Sequence, residues 1–216
     1  MKINALETPT IDSEGGIINL NSFKLSNKQK QRVWIVDNFY DNPDEVRNYA
    51  LGLNYFDDDG YKGIRTRKQF FIEGTKERFE TIIGEKITTW DIPGNSMNGR
   101  FQSIWAGLPN VVHCDQQKWA GMIYLTPNAP FSSGTKIVAN KKTKIYHGSQ
   151  TDDILDIFPN QETFLDETLF EDVDVLGNVY NRLVIFDAQS IHVAGDYFGW
   201  DIPSGRLWHM FFFDAE

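Results

Sequence analysis

The sequence predicts a mainly β protein with flanking helices, a β-sandwich or jelly roll with its helices packed outside. Two observations predict it. From Arg100 onward, short runs rich in β-branched and aromatic residues follow one another, separated by the turn segments LPN, PNAP, SSG and IPSG. Helical spacing is confined to the chain before Arg100, whereas a parallel α/β sheet needs helices alternating with strands throughout.

The elements are read in chain order. Residues 1–31 are polar, carry Gly15 and Gly16 side by side, and read as a peripheral extension. VWIVDNFY (33–40) reads as a first strand. DNPDEVRNYALGL (41–53) reads as a helix, with Asp41 or Asn42 as cap, Pro43 at the first helical position, and Asp44 and Glu45 at the positive end of the dipole. Val46, Tyr49, Ala50 and Leu53 recur at helical spacing and predict one buried face. DDDGYKGIRTRKQF (57–70) reads as a charged loop, a second helix runs from Thr75 to Trp90 with Gly84 inside it, and 92–99 is a turn. Strands follow at 100–106, 119–126, 134–139, 182–188, 190–195 and 206–213. The chain thus divides into the extension 1–31 and one domain, 32–216, which has a helical part (32–99), a β core (100–139 and 182–214) and an acidic insertion (140–181).

Composition narrows the function. The chain has 216 residues, 41% of them hydrophobic and 14% aromatic, enough for a sizeable core. Its net charge of −9 argues against a nucleic-acid binder, which needs a basic surface for phosphates. No apolar run approaches a membrane span, and the start shows no secretory pattern, so a cytoplasmic protein without a membrane partner is expected. The single cysteine, Cys114, excludes an internal disulfide framework and a cysteine-based zinc site. Between Lys144 and Arg182 there is no Lys or Arg but nine acids, which reads as a solvated surface insertion or as an acidic lid for a basic partner.

The stretch VVHCDQQKWAGMIYLT (111–126) carries the chemistry. In an extended segment His113 and Asp115 point to the same face, so one metal ion could take an imidazole nitrogen and a carboxylate oxygen from them. Cys114 points the other way. Taken alone, the tripeptide reads as a polar turn before a strand. His192, in FDAQSIHVAG, supplies a third ligand, and two histidines with one carboxylate form the facial triad that leaves adjacent positions open on octahedral iron. His147 reads as a loop residue. His209 falls opposite Arg206 on its strand and so faces outward beneath the helices if Arg206 faces inward. Gln102 and Trp105 are candidates for the pocket wall. Arg65 and Arg67 read either as anchors for an anionic substrate group or as a solvated loop.

HCD (113–115), MIYLT (122–126), SSGT (132–135), LVIFDAQSIHVAG (183–195) and GRLWHMFFFD (205–214) together resemble the Fe(II)/2-oxoglutarate-dependent oxygenases, most of all their prolyl-hydroxylase-like branch and its small phage and bacterial members. The resemblance covers residues 100–214 and extends more weakly to VDNFYDNPDEVRNYA. It implies a double-stranded β-helix, a jelly roll of the cupin-like kind. It also implies Fe(II) on His113, Asp115 and His192, no catalytic side chain beyond these ligands, and 2-oxoglutarate as co-substrate. Arg206 would hold its distal carboxylate, a role that suits a guanidinium fork, with the Tyr124 hydroxyl beside it. The activity implied is hydroxylation of an amino acid, peptide or small metabolite. Asp115 fills the position that halogenating relatives leave to a halide. Two features depart from the pattern: fourteen positions separate His192 from Arg206, longer than usual, and Trp208 stands where a small hydroxyl residue is frequent. A jelly-roll binding or structural protein, with or without metal and without 2-oxoglutarate turnover, is the competing reading, and a cupin-like metal enzyme is a third. Oligomeric state is not legible.

Overall fold

A computed structural model describes residues 30–57, 62–92 and 97–216, together with the backbone of two short strands nearer the start. It contains two compact units, Met1–Gln31 and Arg32–Glu216. In the first, β1 (Thr10–Ile11) pairs antiparallel with β2 (Ile17–Ile18); most of the remaining extension lies outside the described residues. In the second, the order is β3 (Val33–Val36), α1 (Pro43–Leu51), β4 (Tyr55–Asp57), β5 (Ile64–Thr66), α2 (Thr75–Ile83), β6 (Arg100–Ile104), β7 (Trp119–Tyr124), β8 (Thr135–Asn140), β9 (Phe170–Leu176), β10 (Leu183–Asp187), β11 (His192–Ala194) and β12 (Arg206–Phe213).

The strands form two antiparallel sheets, as a double-stranded β-helix requires. The major sheet runs β3-β10-β7-β12-β6-β5-β4 and the minor one β11-β8-β9. A bridge between His113 and His192 adds the 113 segment to the minor sheet beside β11.

Period-two alternation along the strands sorts the side chains into layers. On β12, Arg206, Trp208, Met210 and Phe212 line a cavity on the inner face. Leu207, Phe211 and Phe213 join the opposite core, with Ala50 of α1 and Phe79 and Ile83 of α2. β7 divides the same way: Ala120, Met122 and Tyr124 belong to the inner cluster, Trp119 and Ile123 to the helix side. The major sheet is apolar on both faces because the helices cover one and the minor sheet the other, which explains near-continuous runs such as LVIFD in β10, buried at every position.

The helices are shorter than their sequence patterns suggest. α1 begins at Pro43 with Asp44 and Glu45 in its first turn, and the Asn42 side chain makes no capping bond. Ala50 is fully buried and Val46 and Leu53 pack against the core, but Tyr49, at the flank of that face, is 57% exposed and meets Phe70 edge-on. α2 stops at Ile83 rather than Trp90. Gly84 takes a φ of 74°, the left-handed region open to glycine, and its N–H closes the helix on the Glu80 carbonyl. The chain beyond is irregular, yet it still delivers Ile87 and Trp90 to the core, where Trp90 stacks on Phe211 at 5.3 Å.

Most expected strands form at slightly shorter lengths, and 206–213 forms as expected. Three further strands were not legible. β4 and β5 lie in and beside the charged segment 57–70, of which residues 58–61 are outside the described residues, as are 93–96 of the expected turn. β9 lies within the acidic stretch. Only its end residues Phe170 and Leu176 are buried, and its pairing with β8 carries an irregularity at Ile137/Val138, so neither composition nor alternation announces it.

The rest of the acidic stretch is not a lid. Its short 3-10 turns pack Ile157, Phe158 and Phe164 against Val112, Val138, Ile191 and Val193 on the outer face of the minor sheet. None of residues 140–181 lines the cavity. Two of its acids act locally, since Asp153 and Asp166 cap these turns by accepting from the Leu155 and Thr168 N–H groups.

Candidate metal centre

The segment carrying His113 and the strand carrying His192 are locked by a reciprocal pair of backbone bonds. His113 N–H donates to the His192 carbonyl (3.0 Å), and His192 N–H donates to the His113 carbonyl (2.8 Å). Residues so opposed share a face, and the two rings lie with centroids 4.3 Å apart. Two residues on, Asp115 N–H donates to the Ala188 carbonyl (2.8 Å), which fixes the carboxylate on the same side.

Each imidazole commits Nδ1 to a carbonyl two residues earlier: His113 to Val111 (2.9 Å) and His192 to Ser190 (2.8 Å). A carbonyl only accepts, so Nδ1 carries the proton in both rings and Nε2 presents a lone pair. The two Nε2 atoms meet the Asp115 carboxylate, His113 at 3.7 Å from Oδ1 and His192 at 3.4 Å from Oδ2. Oδ2 is buried and makes no hydrogen bond among the described residues. Ligand atoms of the three residues all lie within 4.8 Å of one another. Three converging acceptors with no proton between them repel, and a cation is the species that satisfies all three. Burial, reinforced by the neighbouring His113, pushes the His192 pKa down to about 4 despite the opposing pull of Asp115 and the Ser190 carbonyl, so His192 is neutral, the ligand form, at pH 7. Cys114 lies in the cavity wall, but its sulfur is not part of the cluster; burial and the Asp115 charge raise its thiol pKa.

The cluster opens into a cavity of about 500 Å³. Arg206 reaches it from β12 and is 2% exposed. Its Nε donates to the Ser133 carbonyl (2.7 Å), and Nη2 to the Gly134 carbonyl (3.1 Å) and to Thr135 Oγ1 (3.5 Å). The guanidinium lies 4.3 Å from the Trp208 ring. Among the described residues it has no carboxylate partner, and these bonds leave Nη1 unused. A buried guanidinium held this way by neutral acceptors is ready for an anion.

Tyr124 is fully buried and does not line the cavity. Its hydroxyl bonds instead to Thr135 Oγ1 (3.0 Å), and Thr135 does line it. Of the candidate wall residues, Gln102 lines the cavity; Trp105 is absent from the lining. Arg65 is not a solvated loop residue, being 2% exposed on β5 and in the wall, whereas Arg67 is exposed and covers Phe56 at 3.9 Å. His209 lies on the helix side, fully buried, with Nδ1 2.8 Å from the Tyr40 hydroxyl and Nε2 shared between the Phe70 and Gly99 carbonyls. His147 is no loose loop residue. It is 6% exposed, caps a 3-10 turn and sets Nε2 3.2 Å from the buried Asp187. Thr135, the last residue of SSGT, also lines the cavity, as do Lys62 and Tyr197, which nothing in their local sequence marks.

No family model matches the chain, and no curated protein matches it in sequence. Solved structures do match. HygX from Streptomyces hygroscopicus, determined with nickel and 2-oxoglutarate bound, aligns over 87% of this chain and 86% of its own at 8% identity and a TM-score of 0.50. The chain shares with it the architecture of a double-stranded β-helix. A prolyl hydroxylase from Trichoplax adhaerens, solved with a hypoxia inducible factor peptide fragment, aligns over 84% of this chain and 83% of its own at 12% identity and a TM-score of 0.48. At such identities the likeness to this oxygenase fold concerns architecture; the argument for chemistry comes from the side chains described above. No helix among the described residues is long and apolar enough to cross a membrane.

Proposed function

We propose that this protein is a non-haem Fe(II)- and 2-oxoglutarate-dependent oxygenase that hydroxylates an amino acid, a peptide or another small metabolite. The observation that carries it is the orphaned Asp115 Oδ2 facing two imidazoles whose Nδ1 atoms are already committed, in a cavity that also holds a buried arginine without a carboxylate partner among the described residues.

His113, Asp115 and His192 would hold the iron, which when bound supplies the redox chemistry of oxygen activation. The other residues bind and exclude. Arg206 holds the distal carboxylate of 2-oxoglutarate through the part of its fork that the Ser133 and Gly134 carbonyls leave free. Trp208 cannot donate a hydroxyl there, but Thr135, from the facing sheet, can. Tyr124 acts as a positioning residue through Thr135 and lies beneath the guanidinium, 5.3 Å from it. Met210, Phe212 and Met97 give the cavity its apolar walls and limit water. Asp115 occupies the carboxylate position and so favours hydroxylation over halogenation.

Anaerobic titration of the Fe(II)-loaded protein with 2-oxoglutarate tests this reading. It expects a saturable visible charge-transfer band from the chelate. Metal without a band removes 2-oxoglutarate and leaves a cupin-like metal protein; no metal at all leaves a jelly-roll binding protein.

A further inference from the structure

We infer that His147 and Asp187 are a positioning pair for the candidate metal centre, through which the acidic insertion fixes Asp115 and His192 in place. This deepens the oxygenase reading above and rests on its metal centre.

The pair acts on one short turn, residues 188–191, which joins β10 to β11. Its Ala188 carbonyl accepts from the Asp115 N–H (2.8 Å), and its Ser190 carbonyl from His192 Nδ1 (2.8 Å). Two of the three residues of the centre thus take their orientation from this turn. The insertion holds the same turn from outside. The Gln189 carbonyl, between the other two, accepts from the Gly148 N–H (2.9 Å), and the Ile191 N–H donates to the Tyr146 carbonyl (2.8 Å). His147 lies between these two bonds, opposite Ser190 in an antiparallel bridge.

Side chains complete the contact. His147 and Asp187 are both buried. The Ser149 N–H donates to His147 Nδ1 (3.1 Å). A ring nitrogen that accepts from an N–H carries no proton, so the neutral ring bears its proton on Nε2, 3.2 Å from Asp187 Oδ2. The two atoms are close but not collinear, and Nε2 makes no aligned hydrogen bond among the described residues. Away from water, the N–H dipole and the carboxylate still attract each other. The other carboxylate oxygen, Oδ1, accepts from the Gln189 N–H (3.2 Å), and the Asp187 carbonyl from the Ser190 N–H (2.9 Å). Asp187 therefore ties the turn both to itself and to His147. Its neighbour Phe186 meets the His192 ring edge-on at 4.9 Å, so the end of β10 also touches the centre directly.

The carbonyl that receives an imidazole Nδ1–H sets the angle of the ring and the basicity of Nε2, and such partners are worth about 10- to 100-fold in metal affinity. His147 and Asp187 stand one step behind that carbonyl, which puts their effect at the lower end of this range.

The test is the Mn(II) affinity of the full chain by isothermal titration, for the natural protein, His147→Asn and Asp187→Asn. Asparagine at 147 still caps the 3-10 turn but is too short to reach Asp187. At 187 it keeps an acceptor for the Gln189 N–H and removes the charge. Each variant should bind Mn(II) about tenfold more weakly, with urea unfolding confirming that it is folded during the titration. Coupling is reciprocal, so one equivalent of Zn(II) should shift the ring resonances of His147 in the natural chain, a measurement that stands even if neither variant folds. Folded variants that lose stability but keep their Mn(II) affinity make the pair merely structural and overturn the inference, as does a His147 ring indifferent to Zn(II). A natural chain that binds no divalent metal overturns the metal centre and this coupling together. If both variants weaken Mn(II) but 2-oxoglutarate does not bind, the co-substrate reading falls and the positioning pair stands.

Discussion

His113 and His192 hold each other in register by exchanging both backbone hydrogen bonds, at 3.0 and 2.8 Å, so that their imidazoles leave the minor sheet on one face beside Asp115. Replacing either histidine removes an imidazole from the candidate metal centre without breaking the backbone pair that aligns the other. His192→Ala should therefore weaken Mn(II) or Fe(II) binding by at least about 100-fold, more than losing an outer-sphere partner costs. Metal content after dialysis, with a far-UV spectrum to confirm folding, measures it; undiminished metal would remove His192 from the triad.

Asp115→Asn should separate metal binding from stability. In the metal-free protein, Oδ2 is a buried acceptor facing another acceptor at 3.4 Å. An amide there can donate to His192 Nε2 and removes the negative charge. The variant should lose metal yet gain about 0.5–1.5 kcal/mol of apo stability in urea unfolding, one net hydrogen bond. A destabilised apo variant would show that Asp115 has a structural partner after all.

Arg206→Lys keeps the charge but loses the fork. Metal affinity should stay unchanged, while 2-oxoglutarate affinity falls roughly 10- to 100-fold, the worth of a charged hydrogen bond. Thr135→Val should cost less, by removing one hydroxyl. Unaltered 2-oxoglutarate binding in Arg206→Lys would sink the assignment.

His209 gives the fold a pH dependence remote from the candidate metal centre. Burial pushes its pKa down to about 4, against the weaker opposing effect of the Gly99 and Phe70 carbonyls. The unfolded chain, with an ordinary histidine pKa near 6.5, takes up the proton first on acidification. Stability from this group is thus complete above about pH 6.5 and is lost as pH falls toward 4, by up to about 3 kcal/mol. Denaturant unfolding across that range should show a flatter profile for His209→Gln than for the natural chain at the same metal occupancy. Parallel profiles would mean that His209 does not titrate as a buried neutral ring.

Phe79 fixes the helix layer to the major sheet. It is fully buried, meets Phe39, Trp90 and Phe211 edge-on at 5.0–5.6 Å, and sits over Gly121, where a Cβ would come within 3.1 Å of its ring. Phe79→Ala should cost about 3–5 kcal/mol by opening a cavity that the rigid sheet cannot close. Urea unfolding measures it, and a loss below about 1 kcal/mol would mean that the helices repack.

Whatever local spacing encodes could be read along the chain alone. The i, i+2 placement of His113 and Asp115 requires only an extended segment, and the alternation in RLWHMFFF sets Arg206 and His209 on opposite faces whatever the strand pairs with. The change from helical to strand patterning near Arg100 likewise carried the fold class. Everything that depends on register between distant strands had to wait for the folded chain. That Arg65 stands in a row with Gln102 and Trp208, that Tyr124 meets Thr135 rather than the cavity, and that an acidic stretch supplies β9 all follow from pairings between segments far apart in sequence. No local propensity specifies such pairings, because a strand's partner, not its own composition, determines which of its side chains meet.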